Sequence, residues 1–334
     1  MNKSYKKIQR EPSIPVIKGY SFHYTSHNKE HALEFDKKKF TVQSIFLELE
    51  SICNFRCPYC YTSADKNTEP YSLSYSEIMQ LICEAKKMGV KSIVIAGKGE
   101  PLLSKYIWKL VELITSLNMW LVIFTNGSCL NKNKAKRLHC NNVSVILKLN
   151  SLNPNVQDVL IGVKNGHESV FGALELLLNC GFQAPRFGIQ SIITKINMKD
   201  LRELFIFCRN KSIVPYFETY VAIGRAADPM VRKLLEPNRL HILQFFQEIQ
   251  ELDKTLCGFN WEICSGQRVI AYGPCNKNRH MLTISSNGDV YRCVTESERL
   301  GNIKDNPLET ILCNPKIISK LLNPVCVGCS SVSL

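Results

Sequence analysis

The chain of 334 residues contains no unbroken apolar run of about 18 residues, the length a membrane-spanning helix needs. Its opening, Met-Asn-Lys-Ser-Tyr-Lys-Lys, has no apolar stretch behind it, so no secretory signal is expected. Internal repeats and low-complexity tracts are also missing, so nothing points to a repeat array or a fibrous protein. Acidic residues are scarce: 29 Asp and Glu face 42 Lys and Arg, for a net charge of +13. The basic surplus is scattered. Its densest stretches, Lys37–Lys39 and Lys132–Arg137, are short and carry no interleaved aromatics, which argues against a nucleic-acid surface. An excess of positive charge is compatible with a phosphorylated, nucleotide-linked or otherwise acidic substrate.

Cysteine, by contrast, is abundant. Fifteen residues give an odd total, which cannot pair completely, and Cys83, Cys180 and Cys208 sit inside apolar segments as small hydrophobes do. A reducing cytoplasm with metal-bound thiolates accounts for this better than a secreted disulfide scaffold. Hydrophobic content of 45% and charged content of 21% are ordinary for a globular chain long enough for one large domain, or one large and one small.

Short runs rich in Ile, Val, Leu and Phe alternate with helical patterns from about residue 40 to 225. The strand candidates are Ser44–Leu49, Ser92–Ala96, Leu121–Phe124, Val143–Leu149, Phe187–Ile193 and Val214–Val221. Ser74-x-x-Glu77 reads as a capping box opening a helix that Gly89 closes. Further helices are expected near Tyr106–Leu117, Lys132–His139, Ser169–Leu178, Met198–Arg209 and Leu240–Leu252. Six βα units in sequence predict an α/β fold: a partial (β/α)6 TIM-like barrel with a parallel sheet and outer helices. In such barrels chemistry sits at the C-terminal ends of the strands. Beyond residue 255 the character changes to short strands, turns and clustered cysteines. The expected division is an arm over 1–40, packed on the barrel or partly disordered, a core barrel over 41–254, and a small cysteine-rich domain over 255–334.

The most informative stretch follows the first strand: Cys53-Asn-Phe-Arg-Cys57-Pro-Tyr-Cys60. Three thiolates on one short loop can hold three irons of a cubane 4Fe–4S cluster and leave the fourth open to a small molecule. A second set, Cys275, Cys293, Cys326 and Cys329, could fully ligate another cluster, and its spacing alone would also permit a structural zinc ion.

The cysteine loop after the first strand of a βα repeat resembles the radical S-adenosylmethionine (SAM) superfamily. Gly97-Lys98-Gly99-Glu100-Pro101, after the second strand, is similar to the family's glycine-rich motif for the methionyl amino group, with Lys98 where Gly is commoner. By this resemblance Thr125, Asn126 and Gly127 at the end of the third strand line the SAM site. Asn150 or Ser151 at the end of the fourth would lie near the ribose hydroxyls. Tyr59 would pack beside the cluster and adenine, and Gln190 and Thr194 on the fifth strand are further candidates. Asn-Gly and Asn-Ser are equally good turn formers. Cys275, the Asn287-Gly288 hairpin, Cys293 and Cys326-x2-Cys329 resemble the SPASM/Twitch auxiliary-cluster domains of the same superfamily. Four cysteines before the end at Leu334 favour one auxiliary 4Fe–4S cluster.

The resemblance implies SAM and two clusters as cofactors, and an external one-electron donor such as flavodoxin or ferredoxin. It also implies reductive cleavage of SAM to a 5′-deoxyadenosyl radical that abstracts hydrogen from an unactivated C–H. Epimerisation would need a hydrogen donor. Cys264, between the last helix and the auxiliary cysteines, is the best placed, ahead of Cys129, Cys257 and Cys313. Peptide-modifying members often carry an N-terminal recognition domain, and residues 1–40 are too short for one. The expected substrate is therefore a small-molecule natural-product intermediate, such as a sugar or aminocyclitol, that is epimerised or dehydrogenated. Epimerisation or crosslinking of a ribosomally made peptide is the alternative, and a non-catalytic iron–sulfur or zinc protein is the reading from another class. Tyr216, Glu218, Tyr220, Gly224 and Arg225 lie at or after the sixth strand without an assigned role.

Overall fold

Each strand of the barrel divides its residues between two buried faces. In β1 (Ser44–Leu47), Ile45 and Leu47 join the outer core under the helices while Phe46 points inward. The alternation repeats in β2 (Ser92–Ile95), β3 (Trp120–Thr125) and β4 (Ser144–Lys148): Ile93, Ile95, Leu121, Ile123, Val145 and Leu147 face out, and Val94, Val122, Phe124 and Ile146 face in. This is the two-residue period of a pleated strand, with both faces apolar as a helix-covered parallel sheet requires. β5 (Phe187–Ile193) and β6 (Val214–Thr219) complete the six parallel strands. The computed structural model describes residues 16–20, 42–66, 72–260, 269–270, 273–274, 280–294 and 297–322.

The helices form where the sequence punctuates them. In α1 (Tyr75–Lys87), the Ser74 hydroxyl accepts from the Glu77 amide at 3.3 Å and the Glu77 carboxylate accepts from the Ser74 amide at 2.7 Å. Its buried residues, Ile78, Leu81, Ile82 and Ala85, recur at helical spacing and seat it on the sheet. Helices α2 (Ile107–Ser116), α3 (Lys132–Cys140), α5 (His167–Asn179), α6 (Leu201–Asn210) and α8 (Arg239–Cys257) match expected elements. Two shorter ones do not. α4 (Pro154–Ile161) and α7 (Pro229–Leu235) start at prolines, behind Asn153 and Asp228 caps, in stretches where no helix is expected. Among the described residues no helix is long and apolar enough to cross a membrane.

The C-terminal strands extend the barrel sheet itself. After the short pair β7 (Val269–Ile270) and β8 (Gly273–Pro274), β9 (Met281–Ile284) pairs in parallel with β1. β10 (Asp289–Tyr291) and β11 (Gly301–Asn302) follow antiparallel, giving a nine-stranded order β11-β10-β9-β1-β2-β3-β4-β5-β6. The wholly buried Met281, Leu282 and Ile284 thus cover the edge that β1 would otherwise expose. Helices α9 (Leu308–Leu312) and α10 (Pro315–Leu322) finish this part, with the α9 residues Leu308 and Ile311 in the same outer core as α1.

The described part of the N-terminal arm, residues 16–20, plugs the barrel at the N-terminal ends of its strands. Small residues there leave room for it. Ser92 Oγ donates to the Gly19 carbonyl at 2.6 Å and Ser144 Oγ to the Lys18 carbonyl at 2.9 Å, while Ile17 lies against Gly188. Tyr20 meets Phe124 and Tyr216 edge-on, with ring centroids 4.9 and 5.6 Å away, and so forms the floor of the space above.

On the outer surface a buried ion pair ties α6 to α8. Arg209 donates twice to Asp253, at 2.7 and 2.6 Å, and stacks on Phe205 and Phe259. Asp253→Ala would leave a buried guanidinium without that partner and is expected to cost about 3–5 kcal/mol, read as a lower urea midpoint.

Candidate active site

The loop between β1 and α1 carries the three cysteines and is held mainly through its backbone. Arg225 clamps it: its amide donates to the Cys60 carbonyl at 3.0 Å, its Nε to the Cys57 carbonyl at 3.0 Å and its Nη1 to the Ala64 carbonyl at 2.7 Å. The Glu100 amide donates to the Ile52 carbonyl at 2.8 Å and the Arg56 amide to the Ile161 carbonyl at 3.1 Å. Two glycines permit this close packing. A Cβ on Gly99 (φ +76) would lie 2.4 Å from the Ile52 carbonyl oxygen, and one on Gly224 (φ +62) would lie 2.3 Å from that of Tyr61. Gly99 thus serves the loop's backbone. Gly99→Ala is expected to displace the loop and to lower iron retention after desalting by more than half, measured as iron per chain.

Cys53, Cys57 and Cys60 line one solvent-open cavity at the C-terminal ends of the strands. No group of three such ligands among the described residues converges on a single ion. A cubane makes no such demand, because each thiolate meets a different iron. Burial pushes the Cys53 thiol up to about 11 and the Cys57 thiol to about 12, with Lys148 opposing. Iron binding at Cys53 and Cys57 would therefore release protons.

Glu100 is the hub of the next wall. Its Oε1 accepts from the Leu102 amide at 3.1 Å and the Thr125 hydroxyl at 2.6 Å, and its Oε2 accepts from the Asn126 amide at 2.7 Å. Burial raises its pKa against those three hydrogen bonds. The carboxylate lines the cavity and retains acceptor capacity for a ligand ammonium. Asn126 also lines it, tied to Asn54 at 3.1 Å and to Ser128 at 2.6 and 2.9 Å.

Sequence motifs and cavity differ in several places. Gly97, Gly99, Glu100, Asn126, Tyr59 and Gln190 line the cavity; Lys98, Thr125, Asn150 and Ser151 do not. Thr125 braces Glu100 from behind. The Asn150 amide donates to the Tyr59 hydroxyl at 2.8 Å and its carbonyl accepts from the Ile192 amide at 3.0 Å; Ser151 Oγ donates to Asp200 at 2.5 Å. These contacts tie the end of β4 to Tyr59, to β5 and to the residue before α6. Thr194 is likewise buried, bonded to Asn197 at 2.7 Å.

The cavity also takes in residues without a motif. Lys148 ends β4 as its one charged residue, and that lone cation is the signal that could have marked it. Tyr20, Phe46 and Phe124 supply the aromatic floor, and Glu218 a second carboxylate. Of the auxiliary set, Cys293 is buried just beyond β10, while Cys275, Cys326 and Cys329 lie outside the described residues, as does Cys264. Cys129, Cys257 and Cys313 do not line the cavity.

A parallel partial barrel with an open-mouthed, three-thiol cavity at its strand ends is the form of an iron–sulfur enzyme. Residues 48–208 match the radical SAM superfamily, and residues 275–330 match the iron–sulfur cluster-binding SPASM domain. An AdoMet-dependent heme synthase of Methanosarcina barkeri is 23% identical over 84% of this chain and 89% of its own. The mycofactocin maturase MftC of Mycobacterium ulcerans is 25% identical over 84% of this chain and 77% of its own. Among solved structures, Streptococcus suis SuiB bound to S-adenosylmethionine superposes with a TM-score of 0.67 at 16% identity, covering 86% of this chain and 71% of SuiB. The chain thus carries a radical SAM domain followed by a C-terminal SPASM domain. Its cofactors are SAM, the 4Fe–4S cluster of the core and auxiliary iron–sulfur in the C-terminal domain.

Proposed function

We propose that this enzyme abstracts hydrogen from an unactivated C–H of a substrate seated against the aromatic floor of the cavity. The observation that carries this reading is the convergence of Cys53, Cys57, Cys60, Glu100 and Lys148 on one cavity. The three cysteines would hold the cluster. Bound there, the cluster and SAM supply reductive cleavage of the cofactor's sulfonium and the oxidising power for hydrogen abstraction. Glu100 would accept from the methionyl ammonium and Lys148 would meet the methionyl carboxylate, each an opposite charge in a water-poor site. The apolar floor excludes water from the reacting carbon. Cys275, Cys293, Cys326 and Cys329 would ligate one auxiliary cluster.

For the substrate we favour a peptide. Support comes from the maturase relative along most of the chain, and from neighbours of this fold with a bound peptide, SuiB with its precursor peptide SuiA and anSMEcpe with a Kp18Cys peptide. A small molecule, for which the sequence suggested a sugar or aminocyclitol, is the second reading, favoured by the heme synthase relative. Epimerisation and two-electron oxidation are the outcomes open to either class. Turnover in deuterated water separates them. A deuteron retained at carbon in a product otherwise of unchanged mass marks epimerisation, and a loss of two hydrogens marks oxidation. A first screen would use short peptides encoded beside the gene, with mass spectrometry as readout. No mass or isotope change in any peptide, with a change in a sugar-like substrate, would overturn the peptide reading.

A further inference from the structure

Deep in the cavity, β5 and β6 set two hydrogen-bonding side chains side by side. Gln190 and Tyr216 are register partners, and Glu218 lies two residues beyond Tyr216 on the same face. The Tyr216 hydroxyl donates to Glu218 Oε1 at 2.8 Å and stands 3.3 Å from the Tyr20 hydroxyl on the plugging segment. Gln190 Nε2 donates to Glu218 Oε2. That contact fixes the amide orientation, since turning it over would set a carbonyl against a carboxylate. The consequence falls on Gln190 Oε1, which is buried and has no hydrogen-bond partner among the described residues. Gln190 is only 4% exposed, yet it lines the cavity, as does Glu218.

A buried carbonyl without a donor is disfavoured unless a ligand supplies one. Gln190 Oε1 and the Glu218 carboxylate are both acceptors. Lys148, the register partner of Gln190 on the neighbouring strand, lines the cavity beside it, while the Glu218 carboxylate on the other side disfavours a second anion in this corner. Around the pair the floor is aromatic, formed by Tyr20, Phe46 and Phe124.

We propose that Gln190 and Glu218 form a substrate-recognition subsite for a hydrogen-bond-donating head, an ammonium or a hydroxyl, carried on an otherwise apolar body. The subsite rests on the function proposed above and narrows its substrate: the deep end is a donor, and carboxylate or phosphate is refused there. Gln190 contacts the substrate, and Tyr216 and Tyr20 position Glu218 from below.

The test uses the anaerobically reconstituted full chain saturated with SAM, without reductant. Binding of cyclohexylamine, cyclohexanol and cyclohexanecarboxylate is measured by calorimetry for the wild type, Gln190→Met and Glu218→Gln. The wild type is expected to bind the amine or the alcohol at least about tenfold more tightly than the carboxylate, and Gln190→Met to lose about tenfold for that probe. SAM affinity should stay within about twofold in Gln190→Met, which also shows that the variant is folded. Amine over alcohol, with that preference lost in Glu218→Gln, assigns the head as ammonium; equal binding assigns it as hydroxyl. Equal binding of the carboxylate, no binding of either donor probe, or unchanged affinity in Gln190→Met overturns the proposal. A tenfold loss of SAM affinity instead would give the pair to the cofactor and overturn it too. Formation of 5′-deoxyadenosine by the wild type under dithionite is scored separately, so failure of the subsite is distinguishable from failure of the enzyme assignment.

Discussion

Cys57→Ala protein, reconstituted anaerobically beside the wild type, will contain about four fewer irons per chain and form no 5′-deoxyadenosine above a no-enzyme control. The effect is expected to be total because each of the three thiolates would hold a different iron, and the cavity lining offers no further cysteine to replace the missing sulfur. The lining offers Glu100 and Glu218 as the nearest anionic groups, and hydrogen bonds from Thr125, Asn126 and Leu102 hold the first while Tyr216 and Gln190 hold the second. Because the loop is fastened through its backbone by Arg225 and Glu100, the alanine variant should keep its fold and its far-ultraviolet circular dichroism. Loss of iron with a retained fold separates this from general destabilisation.

Cys293→Ala should divide the reaction in two. Cys293 is buried just beyond β10, in a strand register tied through β9 to β1, and its side chain lies on the C-terminal part of the sheet rather than on the β1–α1 loop. Its loss should remove about four irons while 5′-deoxyadenosine formation persists within about threefold of wild type. Conversion of substrate to oxidised product should fall to background, because that outcome needs an acceptor for the second electron. The pair of iron counts, one from each variant, assigns the two clusters to the two cysteine sets.

Much of this architecture was legible in the sequence, because the signals were local. The capping box at Ser74 and Glu77 and the two-residue apolar period of the strands act over a few residues, as does the Cys53/Cys57/Cys60 spacing. None of these depends on what the rest of the chain does. What escaped is what only tertiary structure brings together. Met281–Ile284 reads as an apolar stretch of a small domain, and nothing near it says that it pairs with β1 more than 230 residues earlier. Residues 16–20 look like part of a basic arm, and their role as a plug depends on serines and a glycine on three separate strands. Asn150 and Ser151 occupy motif positions but spend their polar groups on Tyr59 and Asp200. Lys148 and Glu218, which carry no motif, do line the cavity. Gly99 fell within a recognised motif, yet its constraint is a carbonyl of the cysteine loop.

The central claim is that the three-thiol cavity cleaves SAM reductively, and one measurement tests it most directly. Wild-type protein reconstituted with iron and sulfide is incubated anaerobically with SAM and dithionite, and 5′-deoxyadenosine is quantified by chromatography. This account predicts 5′-deoxyadenosine accumulating in proportion to enzyme and absent without dithionite. No 5′-deoxyadenosine from protein carrying a full complement of iron would contradict it.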